Sequence, residues 1–448
     1  MANSQGSIIT IPSTKFEAVN ALKPDPRNPR VHSDRQIKQI SRSIKSFGFN
    51  VPILVDKDNR ILAGHGRLLA AQLLGWNEVP VICLDHLTEP QARAFAIADN
   101  RLTENSSWDE KLLGEILLEL SCQDLDFSIE DSGFTMGEID LKIEGIATAE
   151  NQPDPMDELP PPSNQPPICQ PGDLWLLGKH RIYCGNALDF SSYQKLMQGD
   201  KANLIFTDPP YNVPIAGHVS GNGAIRHREF PMASGEMSEE QFTQFLSQAF
   251  SQLATHSRDG SIHFICMDWR HVGEISAAGR ANYAELKNIC VWSKGNGGMG
   301  SLYRSQHEFV FVFKHGKAAH RNNVELGKFG RYRTNVWNYP GANTLSRQAT
   351  EGNLLAMHPT VKPVALIADA ILDCSARGDI VLDSFLGSGS TILAAERVGR
   401  IGYGIELDPI YVEIAIRRWQ SYTGEQAIHA ESGKAFDELA AQEVGTHE

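Results

Sequence analysis

The residues best suited to do chemistry in this chain are Asp208-Pro209-Pro210-Tyr211. They follow Asn203-Leu204-Ile205-Phe206-Thr207, a mostly apolar run that reads as a buried strand. Neither proline can donate to a sheet ladder and both fix the backbone, so the strand stops there. An acid and an aromatic ring are then presented at a strand's carboxyl end, where open α/β sheets bind ligands. Asp-Pro alone is explained by turn chemistry. The functional reading therefore needs a second motif.

That motif is Ile380-Val381-Leu382-Asp383-Ser384-Phe385-Leu386-Gly387-Ser388-Gly389-Ser390-Thr391: a strand, a glycine-rich turn and a helix start. The next apolar run, Ile401 to Ile405, ends in Glu406, an acid placed to grip ribose hydroxyls. A phosphate-binding Walker loop needs a lysine after Gly389, and none is there. A dinucleotide turn needs a third glycine three positions after Gly389, and Ile392 stands there instead. S-adenosylmethionine carries no phosphate and remains compatible, beside a purely structural glycine turn.

Together, Asp208-Pro-Pro-Tyr211 and Phe385-Leu-Gly387-Ser-Gly389 resemble the amino-group DNA methyltransferases. The catalytic tetrapeptide precedes the cofactor motif, as in the permuted β-class. Gly185-Asn186-Ala187-Leu188, Trp292-Ser293-Lys294, Tyr303-Arg304-Ser305-Gln306-His307-Glu308 and His358-Pro359-Thr360-Val361-Lys362-Pro363 resemble further elements of that class. The family usually has Asp where Asn186 stands. The resemblance spans about 171 to 422 and implies an α/β, Rossmann-like, S-adenosylmethionine-dependent methyltransferase fold. It implies a catalytic group of Asp208, Pro209, Pro210 and Tyr211. For S-adenosyl-L-methionine it implies Asn186, Asp208, His358, Lys362, Asp383, Phe385, Gly387, Ser388, Gly389, Thr391 and Glu406. The substrate expected is double-stranded DNA, methylated at the N6 amine of a flipped-out adenine. N4 of cytosine is the nearest alternative. Restriction-modification is the usual setting and a homodimer a common assembly. No covalent intermediate is needed, so no catalytic cysteine is expected, and with no Cys-x-x-Cys pair no zinc site is expected either.

The elements that must hold these residues are strands alternating with helices. Asp173 to Cys184 reads as a strand pair, and Ser261 to Met267, Asn288 to Trp292 and His307 to Lys314 as strands. Ser238-Glu-Glu-Gln241 is a capping box opening a helix with Phe242, Phe245, Leu246, Ala249, Phe250 and Leu253 on one face. This alternation predicts a mostly parallel sheet. Lys314 to Gln348 carries seven basic residues against the single acid Glu325, with aromatics and asparagines interleaved. Arg and Asn are the usual readers of base edges. A target-recognition region over about 315–350 is expected, with Lys328, Arg331, Arg333, Asn335 and Arg347 contacting DNA; a solvated basic loop is the plain alternative. His218 to Arg228 reads as a loop that closes on DNA, or simply a loop.

Ahead of this lies a different unit. Pro24-Asp-Pro-Arg-Asn-Pro-Arg30, a helix ending at Ser46-Phe47-Gly48-Phe49, the strand Val51-Pro-Ile-Leu-Val55 and Gly64-His65-Gly66-Arg67 resemble the ParB/sulfiredoxin-like fold, a small α+β domain, over about 8–105. Glycines and an arginine at a helix start suit an anion, with a plain tight turn at Gly64 and Gly66 as the equal alternative. The resemblance implies nucleotide binding at Gly64, His65, Gly66 and Arg67, with Asp99-Asn100-Arg101 as a second contact segment. The cysteine of sulfiredoxins is missing. The expected order is a ParB-like domain at 1–105, a helical extension at 106–148, a proline-rich linker at 149–171, a methyltransferase domain at 172–425 and a tail at 426–448.

Composition sets outer limits. The chain has 448 residues, too many for one ordinary domain, and a net charge of −13, so DNA binding must come from a local patch. Seven scattered cysteines fit a reducing cytoplasm, and no apolar run is long enough for a membrane span. Two other function classes stay in view. One is a ParB-like DNA-binding or partition protein with a non-catalytic Rossmann domain. The other is a nicotinamide oxidoreductase, disfavoured by the missing glycine.

Overall fold

The structure is a computed structural model and describes residues 13–145, 155–157, 160, 166–213, 235–295, 302–327, 331–341 and 361–446. The chain divides into two compact units, Met1–Ala147 and Thr148–Glu448.

The first unit is built on four strands, β1 (Thr14–Ala18), β2 (Ile53–Val55), β3 (Ile61–Ala63) and β4 (Glu78–Cys83), in the order β1-β4-β2-β3. Only β2 and β4 run parallel. Its core is Val19, Leu22, Ile53, Val55, Ile61, Leu68, Ala71, Val79 and Val81. The Asp34–Phe47 helix is capped by Ser33, whose side chain accepts from Gln36 N, and ends at Gly48 with φ +88°. The His65–Leu73 helix starts from Gly64, at φ +102°. Such a backbone favours glycine because a Cβ is disfavoured there.

The second unit is one ten-stranded sheet. Its strands are β5 (Leu174–Leu177), β6 (His180–Cys184), β7 (Ala202–Thr207), β8 (Ser257–Met267), β9 (Glu285–Ser293), β10 (His307–Lys314), β11 (Val336–Asn338), β12 (Ile380–Asp383), β13 (Ile401–Glu406) and β14 (Ile428–His429). The order is β11-β9-β10-β8-β7-β12-β13-β6-β5-β14. The five central strands, β8-β7-β12-β13-β6, are parallel, and antiparallel pairs flank them. Apolar clusters cover both faces, as a parallel sheet requires. β7 connects forward to β8 on one side, and β12 connects forward to β13 on the other. The chain direction therefore diverges between β7 and β12, the kind of switch point that leaves a crevice at the strands' carboxyl ends. Register aligns Leu204 with Val381 and Ile205 with Leu382, so Asp208 and the glycine turn emerge side by side.

The proline-rich stretch differs from a free linker. Met156 and Asp157 are buried, Asp157 accepts from Val364 N at 2.9 Å, and the Met156 carbonyl accepts from Arg418 at 2.6 Å. Ile168 N donates to Glu413 at 3.0 Å, and Cys169 is buried. Proline has no N–H to satisfy, so such a chain can lie along a surface with few polar debts, held by the residues between the prolines. Among the described residues no helix is long and apolar enough to cross a membrane.

Candidate active site

The crevice between β7 and β12 holds a cavity walled by the Asp208–Tyr211 segment, Lys362, Asp383–Ser388, Thr391 and Glu406, with Gly185 and Ala187 beyond. Each wall has a local cause. Gly387 and Gly389 have φ of +54° and +85°. A Cβ on Gly389 would lie 2.6 Å from Ala415 Cβ, so space as well as backbone demands glycine there. Gly387 N donates to Glu406 Oε2 at 2.7 Å, which ties the turn to the tip of β13. Asp408 N donates to the other oxygen at 2.9 Å. Burial pushes the Glu406 carboxyl up to about 7 against these two donors.

Asp383 is a fastener. Its Oδ1 accepts from Thr207 Oγ1 at 2.7 Å and Phe385 N at 3.1 Å, and its Oδ2 accepts from Thr391 Oγ1 at 2.6 Å. The end of β7, the glycine turn and the Ser390–Arg397 helix are thereby joined at one carboxyl, which burial pushes up to about 6. Ser388 accepts from Arg418 through both its carbonyl and its hydroxyl.

At the catalytic end four charges meet. Lys362 donates to Asp208 Oδ2, lies 3.1 Å from Glu308 Oε2 and reaches the Tyr211 hydroxyl at 3.2 Å. The Tyr211 hydroxyl sits 2.5 Å from Asp208 Oδ1 and 3.1 Å from Glu308 Oε2. Lys294 binds the other Glu308 oxygen. Sheet register explains that pair: Glu308 lies opposite Trp292 on the antiparallel β9–β10 pairing, so Lys294 follows just past the strand end. Burial raises the Asp208 carboxyl, opposed by Lys362. Burial also works to raise Glu308, but Lys294 and Lys362 hold it down to about 2. Burial works against charge on Lys362, yet Asp208 and Glu308 raise it above the ordinary lysine range.

Asn212, at φ +53°, follows the tetrapeptide. Its side chain accepts from Gly235 N at 3.1 Å and Met237 N at 3.2 Å and donates to Met237 O at 2.8 Å. The two ends of the 213–235 connection are clipped together there.

Of the residues expected at the cofactor, Asp208, Lys362, Asp383, Phe385, Gly387, Ser388, Thr391 and Glu406 converge on the cavity. Asn186 instead closes its own turn, accepting from Leu188 N at 2.9 Å. Gly389 sits beneath the helix start, and His358 lies outside the described residues. Glu308 and Lys294 stand in segments that resemble the family, but sequence assigned them no role; a charged pair flanking a hairpin was the available signal.

Two of the expected DNA contacts are engaged by acids within the unit. Arg331 is buried and pairs with Asp369 at 3.0 Å and Asp373 at 2.9 Å. Arg333 pairs with the same two acids at 3.1 and 3.3 Å and with the Tyr339 hydroxyl at 2.9 Å. Both acids lie on one face of the Val364–Cys374 helix, a turn apart. These guanidiniums brace the fold through the acids of that helix. Asn335 is exposed, with weak contacts to Asn288 and Ile289. Lys328, Arg347 and the 218–228 loop lie outside the described residues.

In the first unit, His65 accepts from Asp25 N at 3.2 Å, and Arg30 reaches Asn100 at 2.9 Å. The segments around 24–30, 64–67 and 99–101 therefore meet. Arg67 is engaged by the Val51 carbonyl at 3.0 Å, and Gly66 is a packing glycine whose Cβ would meet Ile40 at 2.9 Å.

Residues 202–417 match the family model described as DNA methylase, and residues 9–101 match ParB N-terminal domain. A type II methyltransferase, M2.MboI of Moraxella bovis, is 27% identical over 249 residues, covering 54% of this chain and 88% of the relative. The ParB-like nuclease domain-containing protein YnaK of Escherichia coli (strain K12) is 43% identical over 76 residues, 17% of this chain and 87% of the relative. The solved M1.HpyAVI-SAM complex is 23% identical with a TM-score of 0.39, covering 53% of this chain and 97% of that one.

Proposed function

Because this chain belongs to the DNA methylase family over residues 202–417 and to the ParB N-terminal family over residues 9–101, we propose that it is a site-specific adenine methyltransferase using S-adenosyl-L-methionine on double-stranded DNA. The family makes it a DNA methyltransferase. The adenine, the donor and the role of each residue are what is proposed.

One observation carries the reading: the Asp208 carboxylate stands at the end of β7 beside a cavity walled by the glycine turn and Glu406. Three carboxylates line that cavity, Asp208, Asp383 and Glu406. An acidic wall suits a cofactor that bears a sulfonium cation and no phosphate. Glu406 at a strand tip is suited to ribose hydroxyls. S-adenosyl-L-methionine, when bound, supplies an electrophilic methyl group.

The target amine is a poor nucleophile, because its lone pair is delocalised into the ring. Asp208 accepts one of its N–H bonds and the Pro209 carbonyl the other, drawing the nitrogen toward tetrahedral geometry. A hydrogen bond to an ionised acceptor contributes about 1.5–3 kcal/mol. Flipping the base costs a few kcal/mol. Stacking on Tyr211 offsets about 1–3 kcal/mol of that, and the hydroxyl's hold on Asp208 fixes the angle of the ring. Aspartate at 208, where serine is the other common choice, favours adenine. For the first unit, the meeting of segments 24–30, 64–67 and 99–101 supports a nucleotide ligand.

The deciding experiment supplies tritiated methyl donor and duplex DNA, then digests to nucleosides. Label in N6-methyladenine is expected. Label in N4-methylcytosine selects the other amine, and no label on either base overturns the reading.

A further inference from the structure

We propose that Lys362 is a positioning residue for methyl transfer: it holds the Asp208 carboxyl in its ionised acceptor form and turns Oδ1 toward the incoming amine, with Glu308 as its second anchor. The inference rests on the reading of Asp208 as acceptor for that amine. Sequence resemblance pointed Lys362 at the cofactor instead.

The geometry argues for the catalytic end. The Lys362 side chain is about one-twentieth exposed, and its polar partners among the described residues are Asp208 Oδ2, Glu308 Oε2 and the Tyr211 hydroxyl. Its flanks are aromatic, with the Tyr211 ring centroid at 5.4 Å and that of Trp292 at 5.7 Å. A carboxylate oxygen offers two lone pairs. With Oδ2 held by the ammonium and one lone pair of Oδ1 facing the Tyr211 hydroxyl, one lone pair of Oδ1 is left for a donor.

Charge balance gives the reason for a lysine here. Asp208 and Glu308 are matched by Lys362 and Lys294, two of each sign. The charge on Asp208 in turn helps to raise the Cys266 thiol on β8 and the Asp383 carboxyl on β12, after burial in both cases. Removing Lys362 leaves Asp208 beside Glu308 and Asp383 with no cation in contact among the described residues. A carboxyl so placed takes up a proton, and a protonated Asp208 is a poorer acceptor. Glu308 acts in the opposite sense, since its negative charge favours protonation of Asp208.

The two charges therefore make opposed predictions. The Asp208 carboxyl is titrated by carbon-13 NMR in the intact protein, its signal assigned by loss in Asp208→Asn. Single-turnover methyl transfer is followed over the same pH range at saturating cofactor. Lys362→Met should move the Asp208 titration and the acid limb of the rate up by about one pH unit or more, with activity recovering as pH rises. Glu308→Gln should move both down, and Lys362→Arg should leave both near wild type. Affinity for S-adenosyl-L-methionine should stay within a few fold throughout. A Lys362→Met protein whose rate falls equally at every pH overturns the proposal. So does one that loses cofactor affinity while the Asp208 titration stays put. If the wild type transfers no methyl group at any pH, the functional reading falls, and the NMR titration still reports whether Lys362 governs Asp208.

Discussion

With Glu406 gripping the cofactor's ribose, as proposed, cofactor affinity is coupled to pH. Burial pushes its carboxyl up to about 7, so near neutrality it is partly protonated. A ribose hydroxyl donates to the anion better than to the acid. A ligand that prefers the anion binds more tightly as pH rises through the raised value and levels off above it. Calorimetric titration with S-adenosyl-L-methionine between about pH 6 and pH 8 should show this climb, and Glu406→Gln should flatten it. Arg331 makes the complementary point about charge. Its guanidinium is buried against Asp369 and Asp373, so Arg331→Ala leaves both acids to Arg333 alone. Breaking a buried pair outright costs about 3–5 kcal/mol, and the remaining Arg333 contacts keep the loss below that. Chemical denaturation should register that loss, and DNA affinity should follow stability. Seven basic residues in a short stretch read as a DNA face in sequence. Which way a guanidinium points depends on acids 38 and 42 positions away, and local spacing carries no record of them.

At the scale of elements, the glycine turn is the most demanding piece. Gly389 and Gly378 both take positive φ, +85° and +78°. Only at Gly389 would a Cβ strike something, Ala415 at 2.6 Å; Gly378 has open space around it. Gly378→Ala should cost about 1 kcal/mol, the strain of the backbone alone. Gly389→Ala should cost roughly 1–3 kcal/mol more through overpacking, and should weaken cofactor binding by displacing the turn. Denaturant midpoints of the two variants provide the comparison. Much at this scale was legible in advance. The apolar run before Asp208 is β7, the run before Ser384 is β12, and the α/β sheet follows from their alternation with helices. The antiparallel flanks were not separable from the parallel centre, since apolar runs do not encode direction. The meeting of Lys362 with Asp208 spans 154 positions, and only the folded sheet reveals it.

Across the whole molecule, the second unit's structure begins ahead of residue 172, within the proline-rich stretch. Residues 155–157 belong to its packing: Met156 is buried, and Asp157 satisfies the first N–H of the Val364–Cys374 helix. That helix follows directly on Lys362 and Pro363. A fragment starting at residue 150 should keep this brace, whereas one starting at 172 loses it. Losing a helix cap costs about 1 kcal/mol, and losing a buried methionine about 2 kcal/mol or more. The shorter fragment should therefore melt several degrees lower, at about 2–4 °C per kcal/mol for a unit of this size.

The clip at Asn212 has a consequence for how this protein can be altered. Because its side chain fastens Gly235 and Met237 beside the end of the catalytic tetrapeptide, the connection leaves and returns at one fixed anchor. The entropy of closing a loop grows only slowly with its length. Segments of different length and sequence can therefore be grafted between 213 and 235 without dragging on Asp208. The anchor behaves as a socket, in which the inserted segment can be exchanged while the residues beneath it stay in register.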